Sequence, residues 1–368
     1  MRIARRRLFT AALAGLGLPP PAIAGAAGQP AFLSAGMARD GRALVAALGL
    51  DGATRWRHDL PARAHQVIRR PAADEAIAFG RRPGGFMMVL GLADGRRRHL
   101  VEAAGGRHFN GHGVFDATGG LLYATETEID SGDGRIGIYD ARQAYRRVGE
   151  VPSGGLDPHD VRLMPDGTTL VVANGGILTH PDLPQGRLNP GDMAPSIAYL
   201  ALADGRIVEQ VAPPAGLSQL SLRHLAVTAD GLVEIAGQYE GPQADPVPLV
   251  ASHRRGADRL TFLNLDDHRR AGLRQYCGSA ALDRSGAILG ATSPRGGLAV
   301  FWRVADGTPV GQIAAGDVCG IAAGPEAGSF VLTSGLGGAW MVWPAQGKQA
   351  ILAGADAALR WDNHLTRL

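Results

Sequence analysis

Long hydrophobic runs are scarce in this sequence. Beyond the N-terminal segment no stretch is long and apolar enough to span a bilayer. Helical periodicity is missing as well. No long segment repeats its apolar residues every ~3.6 positions, which speaks against a helical bundle. Aromatic side chains make up only 5% of the chain, and there are two cysteines, Cys277 and Cys319. Two thiols allow one disulfide at most, and a fold of this size does not need it. No nucleophile elbow, phosphate-binding loop or dinucleotide fingerprint stands in a convincing context. Glycine-rich stretches such as Gly335–Gly338 follow apolar runs without opening a helix, so they read as turns.

Glycine, at 53 residues, and proline, at 23, are plentiful. Short apolar runs lie between turn signals, as at Leu170–Ala173, Ala287–Gly290 and Phe330–Thr333. This is the grammar of many short strands joined by tight turns. A chain of 368 residues is too long for one ordinary core, unless it forms a barrel, a propeller or two domains.

The formal charge of +3 is concentrated at the start of the chain, where Arg2, Arg5, Arg6 and Arg7 precede any acid. Without them the balance is −1, which removes the electrostatic case for nucleic acid. The runs Arg96–Arg98 and Arg254–Arg255 read as solvated turn charges. Arg6-Arg7-Leu8-Phe9, the apolar stretch to Leu18 and Ala22-Ile23-Ala24 have the form of a twin-arginine signal peptide. The expectation is an exported, periplasmic protein, with residues 1–27 removed near Ala24 to Ala27 and no membrane span left.

His65, His112, His159, His224, Cys277, Cys319 and His364 follow one another at intervals of 47, 47, 65, 53, 42 and 45 residues. Repeats of about 40–50 residues built from strands and glycine turns are the signature of a β-propeller. Three segments show the pattern best: His112-Gly-Val-Phe-Asp-Ala-Thr-Gly-Gly, His159-Asp-Val-Arg-Leu-Met-Pro-Asp-Gly and His224-Leu-Ala-Val-Thr-Ala-Asp-Gly. Each continues into a second apolar run. His65-Gln-Val opens a half-matched repeat, and Ser279 rather than Cys277 stands at the phase of the histidines in a later one. Cys319 shows the same two-residue offset, which places both cysteines nearer the channel mouth. The prediction is one all-β domain over 28–368, a seven-bladed propeller. It closes when the C-terminal segment Trp361–Leu368 pairs with the N-terminal strands. The long third interval, from His159 to His224, comes from an insertion at 174–195, expected to lie over the channel as a lid.

Imidazoles brought together from several strands make a first shell for a transition metal, iron or copper. The expected ligands are His65, His112, His159, His224 and His364, with Cys319 and Glu126 beside them. Asn174, His180, Arg223, Gln238 and Arg295 are expected as polar groups of the channel mouth. Each histidine also has a simpler reading, as a channel-filling side chain hydrogen-bonded to a neighbouring blade. His108 reads as a loop residue, and His58, His99, His253 and His268 as surface residues.

The segments Phe79-Gly-Arg-Arg-Pro-Gly, Phe109-Asn-Gly-His-Gly, Asp157-Pro-His-Asp, Val172-Ala-Asn-Gly-Gly, Thr179-His-Pro-Asp, Ser221-Leu-Arg-His-Leu-Ala, Asp317-Val-Cys-Gly and Trp361-Asp-Asn-His-Leu resemble the DUF1513 family along nearly the whole mature chain. An aliphatic residue is expected in that family where Cys277 stands. The resemblance implies an exported seven-bladed propeller of YVTN/WD40 type. It also implies genomic company with imelysin-type iron-regulated lipoproteins and di-haem peroxidase-like proteins, hence a role in metal uptake. Two rival functions stay open. One is a non-catalytic scaffold for a periplasmic iron-uptake lipoprotein or a cytochrome. The other is a lactonase-like hydrolase, which rests on fold analogy.

Overall fold

A computed structural model describes residues 28–183 and 186–368. The expected signal peptide lies outside them. Seven antiparallel sheets of four strands each form the blades of a propeller. The innermost strands, taken from blade 1 to blade 7, are Arg360–Arg367, Ala64–Arg69, Arg107–Phe115, Pro158–Leu163, Leu220–Val227, Ser279–Leu282 and Val318–Ala323. Each contacts the next around the axis, and the last returns to the first. The ring closes as the sequence predicts. Arg360–Arg367 pairs antiparallel with Phe32–Met37, setting Phe32 opposite Arg367 and Gly36 opposite Trp361. The two ends of the chain thus lock one blade into a four-stranded sheet like the others.

The near-continuous apolar strands follow from burial on both faces. In the second strand of blade 2, Glu75–Gly80, Ala76 and Ala78 join the core shared with blade 1. Ile77 and Phe79 join the core shared with blade 3. Side chains of period two therefore feed two interfaces at once, which is why small and large apolar residues alternate there. Outer strands such as Thr54–Asp59 are only half-buried and mix charge with apolar residues. Among the described residues no helix is long and apolar enough to cross a membrane.

Six of the seven innermost strands share one irregularity. In blade 4, Pro158 pairs with Asn174 and Asp160 with Ala173, which leaves His159 as the extra residue of a β-bulge. Arg223 is the extra residue of blade 5, between Leu222 opposite Gly237 and His224 opposite Ala236. Blade 2 gains one residue across His65–Gln66, and blade 7 gains one across Cys319–Gly320. Blades 3 and 1 gain two each, across Asn110–His112 and Asp362–His364. Blade 6 runs in regular register, with Ser279 opposite Thr292. A bulge bends its strand and re-aims the side chains beside it. Here the bulges lie at one level of the channel, the level of the histidines. In blade 3 the sequence pays for this with Gly111. Its φ is +100°, and a Cβ there would stand 2.9 Å from the Cβ of His65.

The register revises two readings of the sequence. His159 is not in phase with His112 and His224; it sits in the bulge itself, the position Arg223 takes in blade 5. Cys319 falls in the bulge step of blade 7, as His159 does in blade 4, so its expected offset toward the mouth does not hold.

Candidate metal centre

His65, His112, His159, His224 and His364 meet on the propeller axis, all at least nine-tenths buried. Their ring centroids lie 4.5–6.1 Å apart in the close pairs. Two overlapping triads arise, His65–His112–His159 and His112–His224–His364, within each of which the ligand atoms lie within 4.8 Å of one another. His112 belongs to both. The second triad is made of the histidines from blades 3, 5 and 1 that stand just inside the bulges.

Burial lowers the pKa of every one of these imidazoles, that of His65 to about 4. Their mutual repulsion and nearby arginines push the same way for His112, His159 and His224. All five rings are therefore neutral at pH 7, and each keeps a lone pair. His364 Nε2 lies 3.0 Å from His112 Nε2 and 3.3 Å from His65 Nε2. A ring nitrogen offers one proton or one lone pair, directed in its plane, so it cannot serve both neighbours well. Two nitrogens bound at about 2.0–2.1 Å to one metal ion stand about 2.9–3.4 Å apart at angles between octahedral and tetrahedral. The observed separations fit that geometry. His112 Nδ1 and both ring nitrogens of His224 have no hydrogen-bond partner. Buried polar atoms are rarely left so, and a cation on the axis would give His224 a partner for one of its two nitrogens.

The surroundings fix the ring orientations. His65 Nδ1 is 3.1 Å from Asp362 Oδ1, which also accepts a 2.6 Å bond from the Arg81 guanidinium. Arg81 Nη1 also lies 3.1 Å from His65 Nδ1. In the tautomer in which the carboxylate accepts from both groups, His65 Nδ1 carries the proton. Its Nε2 lone pair then faces His364. This is the carboxylate–histidine arrangement that tunes metal ligands. Burial pushes the Asp362 carboxyl up, but Arg81, His65 and Arg63 outweigh it and hold it well below the usual carboxylate range. His364 Nδ1 lies 3.3 Å from the Ser279 hydroxyl.

His159 differs. Its Nδ1 accepts from Arg223 at 3.0 Å, so its proton sits on Nε2, which has no partner. The hydrogen bonds therefore give His159 an N–H to donate, whereas His65 offers a lone pair.

Not every expected residue joins the cluster. The Cys319 thiol lies 3.5 Å from the Thr333 carbonyl and 3.4 Å from that of Trp361, packed in the core between blades 7 and 1. Burial pushes it up to about 12, so without a metal it is a thiol at neutral pH, and its contacts seat it among the core residues of that seam. Cys277 lies in a separate core, and both cysteines are free. Glu126 is buried but fully engaged elsewhere: Tyr139 donates to it at 2.5 Å and Arg147 at 2.7 Å. Asn174 ties blade 4 to blade 3 by donating to the Ser153 carbonyl at 3.0 Å. Arg295 stacks on the Tyr276 ring, 4.3 Å from its centroid. His180 accepts from the Asp182 backbone N–H within the insertion. Only Arg223 and Gln238 of the expected mouth residues line the cavity above the cluster. His253, expected at the surface, is buried and bonded to the Tyr199 hydroxyl at 2.7 Å. His108, expected in a loop, is instead a buried residue of the innermost strand Arg107–Phe115, opposite Thr127, with its Nδ1 3.3 Å from the Phe109 carbonyl.

That cavity, of about 230 Å³, has His65 and His159 at its floor. Ile177, Thr179 and Arg187 of the insertion form one wall. Sequence reasoning missed Arg81, Arg82, Asp157 and Asp362. Arg81 and Arg82 follow the second strand of blade 2, and Asp157 and Asp362 stand two residues before a histidine. That common placement on the mouth side was the available signal.

A seven-bladed propeller whose axis is plugged by five neutral imidazoles defines the class of this protein. Residues 58–368 match the family described as "Protein of unknown function (DUF1513)", and the chain belongs to it. Among solved structures it is similar to hydrazine synthase of Kuenenia stuttgartiensis, with 14% identity and a TM-score of 0.61. The match covers 91% of this chain and 98% of that one. At that identity the likeness concerns the fold alone. No curated protein matches the sequence.

Proposed function

We propose that the protein is a periplasmic metal-binding propeller that handles iron or copper, with the ion held on the axis by His65, His112, His224 and His364. The observation that carries this reading is the pair of Nε2 separations around His364, 3.0 and 3.3 Å, beside imidazole nitrogens that have no other partner. All-imidazole donors suit copper, iron and zinc rather than magnesium or calcium. Neutral rings bind without first losing a proton at pH 7. His159 supports the site as a hydrogen-bond donor to whatever completes the coordination. The twin-arginine form of the N-terminal sequence is in keeping with export of a folded, metal-loaded protein.

Metal analysis of protein purified from the periplasm tests the reading. One equivalent of iron or copper is expected, and it should be lost in a His112→Ala/His224→Ala/His364→Ala variant. Absence of stoichiometric metal, with added iron or copper bound equally by wild type and variant, overturns it. A second reading, docking of a lipoprotein or cytochrome on the insertion, draws on the exposed Leu183 and Leu188 there. It predicts that shortening the insertion abolishes partner binding and leaves metal content unchanged.

A further inference from the structure

The cavity above the histidines has a charge deficit. Arg81, Arg82, Arg187 and Arg223 line it. Asp157 is shared by Arg82 and Arg223, and Asp362 by Arg81 and Arg63. Glu240 pairs with Arg187 at 2.6 Å. Five guanidiniums thus stand against three carboxylates, an excess of two positive charges at the mouth; Arg63, half-exposed, lies outside the cavity lining, and Arg187 is half-exposed at its rim. The next charges outward are Arg295, stacked on Tyr276, and Asp317, which faces Asp362 and Arg63; they cancel. The two shared carboxylates are almost fully buried, at 1% and 3% side-chain exposure, and Arg223 at 6%. Excess positive charge around these buried groups, in a cavity with little room for solvent, attracts an anion that completes the set. The unpartnered His159 Nε2–H at the floor is one more donor without an acceptor.

We propose that this vestibule binds a small polycarboxylate chelator carrying at least two negative charges, so that the axial metal arrives or resides as its carboxylate complex. The inference rests on the axial metal site proposed above. One end of the ligand would pair with the arginines in charge-assisted, bidentate bonds. The other end would reach the cavity floor, where His65 offers a lone pair to the same metal and His159 an N–H to a carboxylate oxygen. Ligand exchange of this kind needs no electron transfer. A cavity of about 230 Å³ accommodates a molecule of some ten to fifteen non-hydrogen atoms, with little room for a peptide.

Calorimetric titration with citrate, of protein with and without iron, tests the proposal, with succinate, acetate and sulfate as comparison probes. Citrate should bind one to one, much more tightly than acetate. An Arg82→Gln/Arg187→Gln variant should lose about ten-fold or more in citrate affinity, as expected when charge-assisted bonds are removed. Asp157 and Asp362 keep Arg223, Arg63 and Arg81 as partners in that variant, and its melting curve checks the fold. A His112→Ala/His364→Ala variant should lose iron and still bind citrate. If wild type lacks metal yet binds citrate through the arginines, the anion site stands and the metal reading falls. Citrate affinity equal in wild type and arginine variant overturns the proposal. So does sulfate binding as tightly as citrate, which would reduce the vestibule to a simple oxyanion site.

Discussion

Blades 1 to 5 and blades 6 and 7 share one fold and differ at one level of the channel. The first five each carry a histidine there, on a bulged innermost strand. Blade 7 keeps the bulge and has Cys319 and Gly320, whereas blade 6 has neither bulge nor histidine. The difference shows that two conditions build the site. A bulge must turn the strand, and the residue in or beside it must be an imidazole with no better partner. Cys319 meets only the first condition, because its small thiol turns into the apolar seam between blades 7 and 1. Ser279 meets neither, and serves His364 from the side.

The sharpest way to break this comparison is His112→Ala, since His112 alone belongs to both triads. Metal affinity should fall by at least about a hundred-fold on titration, more than for any other single substitution in the ring. Asp362→Asn should come next, with a loss of about ten-fold or more, because the amide no longer fixes His65 with a full charge. Ser279→Ala should cost only a few-fold. Cys319→Ala should leave metal affinity unchanged and lower thermal stability by about 1 kcal/mol, the cost of a small vacancy in a packed core. Equal losses for His112→Ala and Cys319→Ala would erase the distinction between the two groups of blades.

Two pH effects of opposite sign sharpen it further. The metal-free protein buries neutral histidines whose pKa lies below the unfolded value of about 6.5, with His65 at about 4. The unfolded chain then binds more protons between these values. Stability is fully present above pH 6.5 and is lost as pH falls toward 4. Glu234, in the second strand of blade 5, is buried with both oxygens unpartnered, and burial raises it to about 7. For this group the native state holds the extra proton, so stability falls as pH rises from 4.5 to 7. Glu234→Gln should therefore raise stability at pH 8 by on the order of 2 kcal/mol relative to pH 5, measured by denaturant unfolding of the metal-free protein. Bound metal should suppress the histidine limb and leave the Glu234 limb in place.

The fold was legible because blade length, turn glycines and the matching ends are local signals. Three parallel segments beginning at His112, His159 and His224 sufficed to suggest the repeat, and Trp361–Leu368 to close the ring. The site was legible as a set of histidines, and less so as geometry. Bulges insert single residues that shift phase without changing local composition, so His159 was aligned with His112 although it stands one register step away. The roles of Glu126 and Cys319 depend on contacts made across strands, with Tyr139, Arg147 and the Trp361 carbonyl, which spacing along one strand does not reveal. Arg81 and Arg82 were visible in the Phe79-Gly-Arg-Arg-Pro-Gly segment, but their meaning lies in carboxylates 75 to 281 residues away.

The most direct test of the central claim is anomalous X-ray diffraction from crystals soaked in iron and, separately, in copper. A single strong peak on the axis, about 2 Å from the Nε2 atoms of His112 and His364, is the predicted result. A channel without anomalous density, with the five imidazoles hydrogen-bonded to one another or to water, would contradict it.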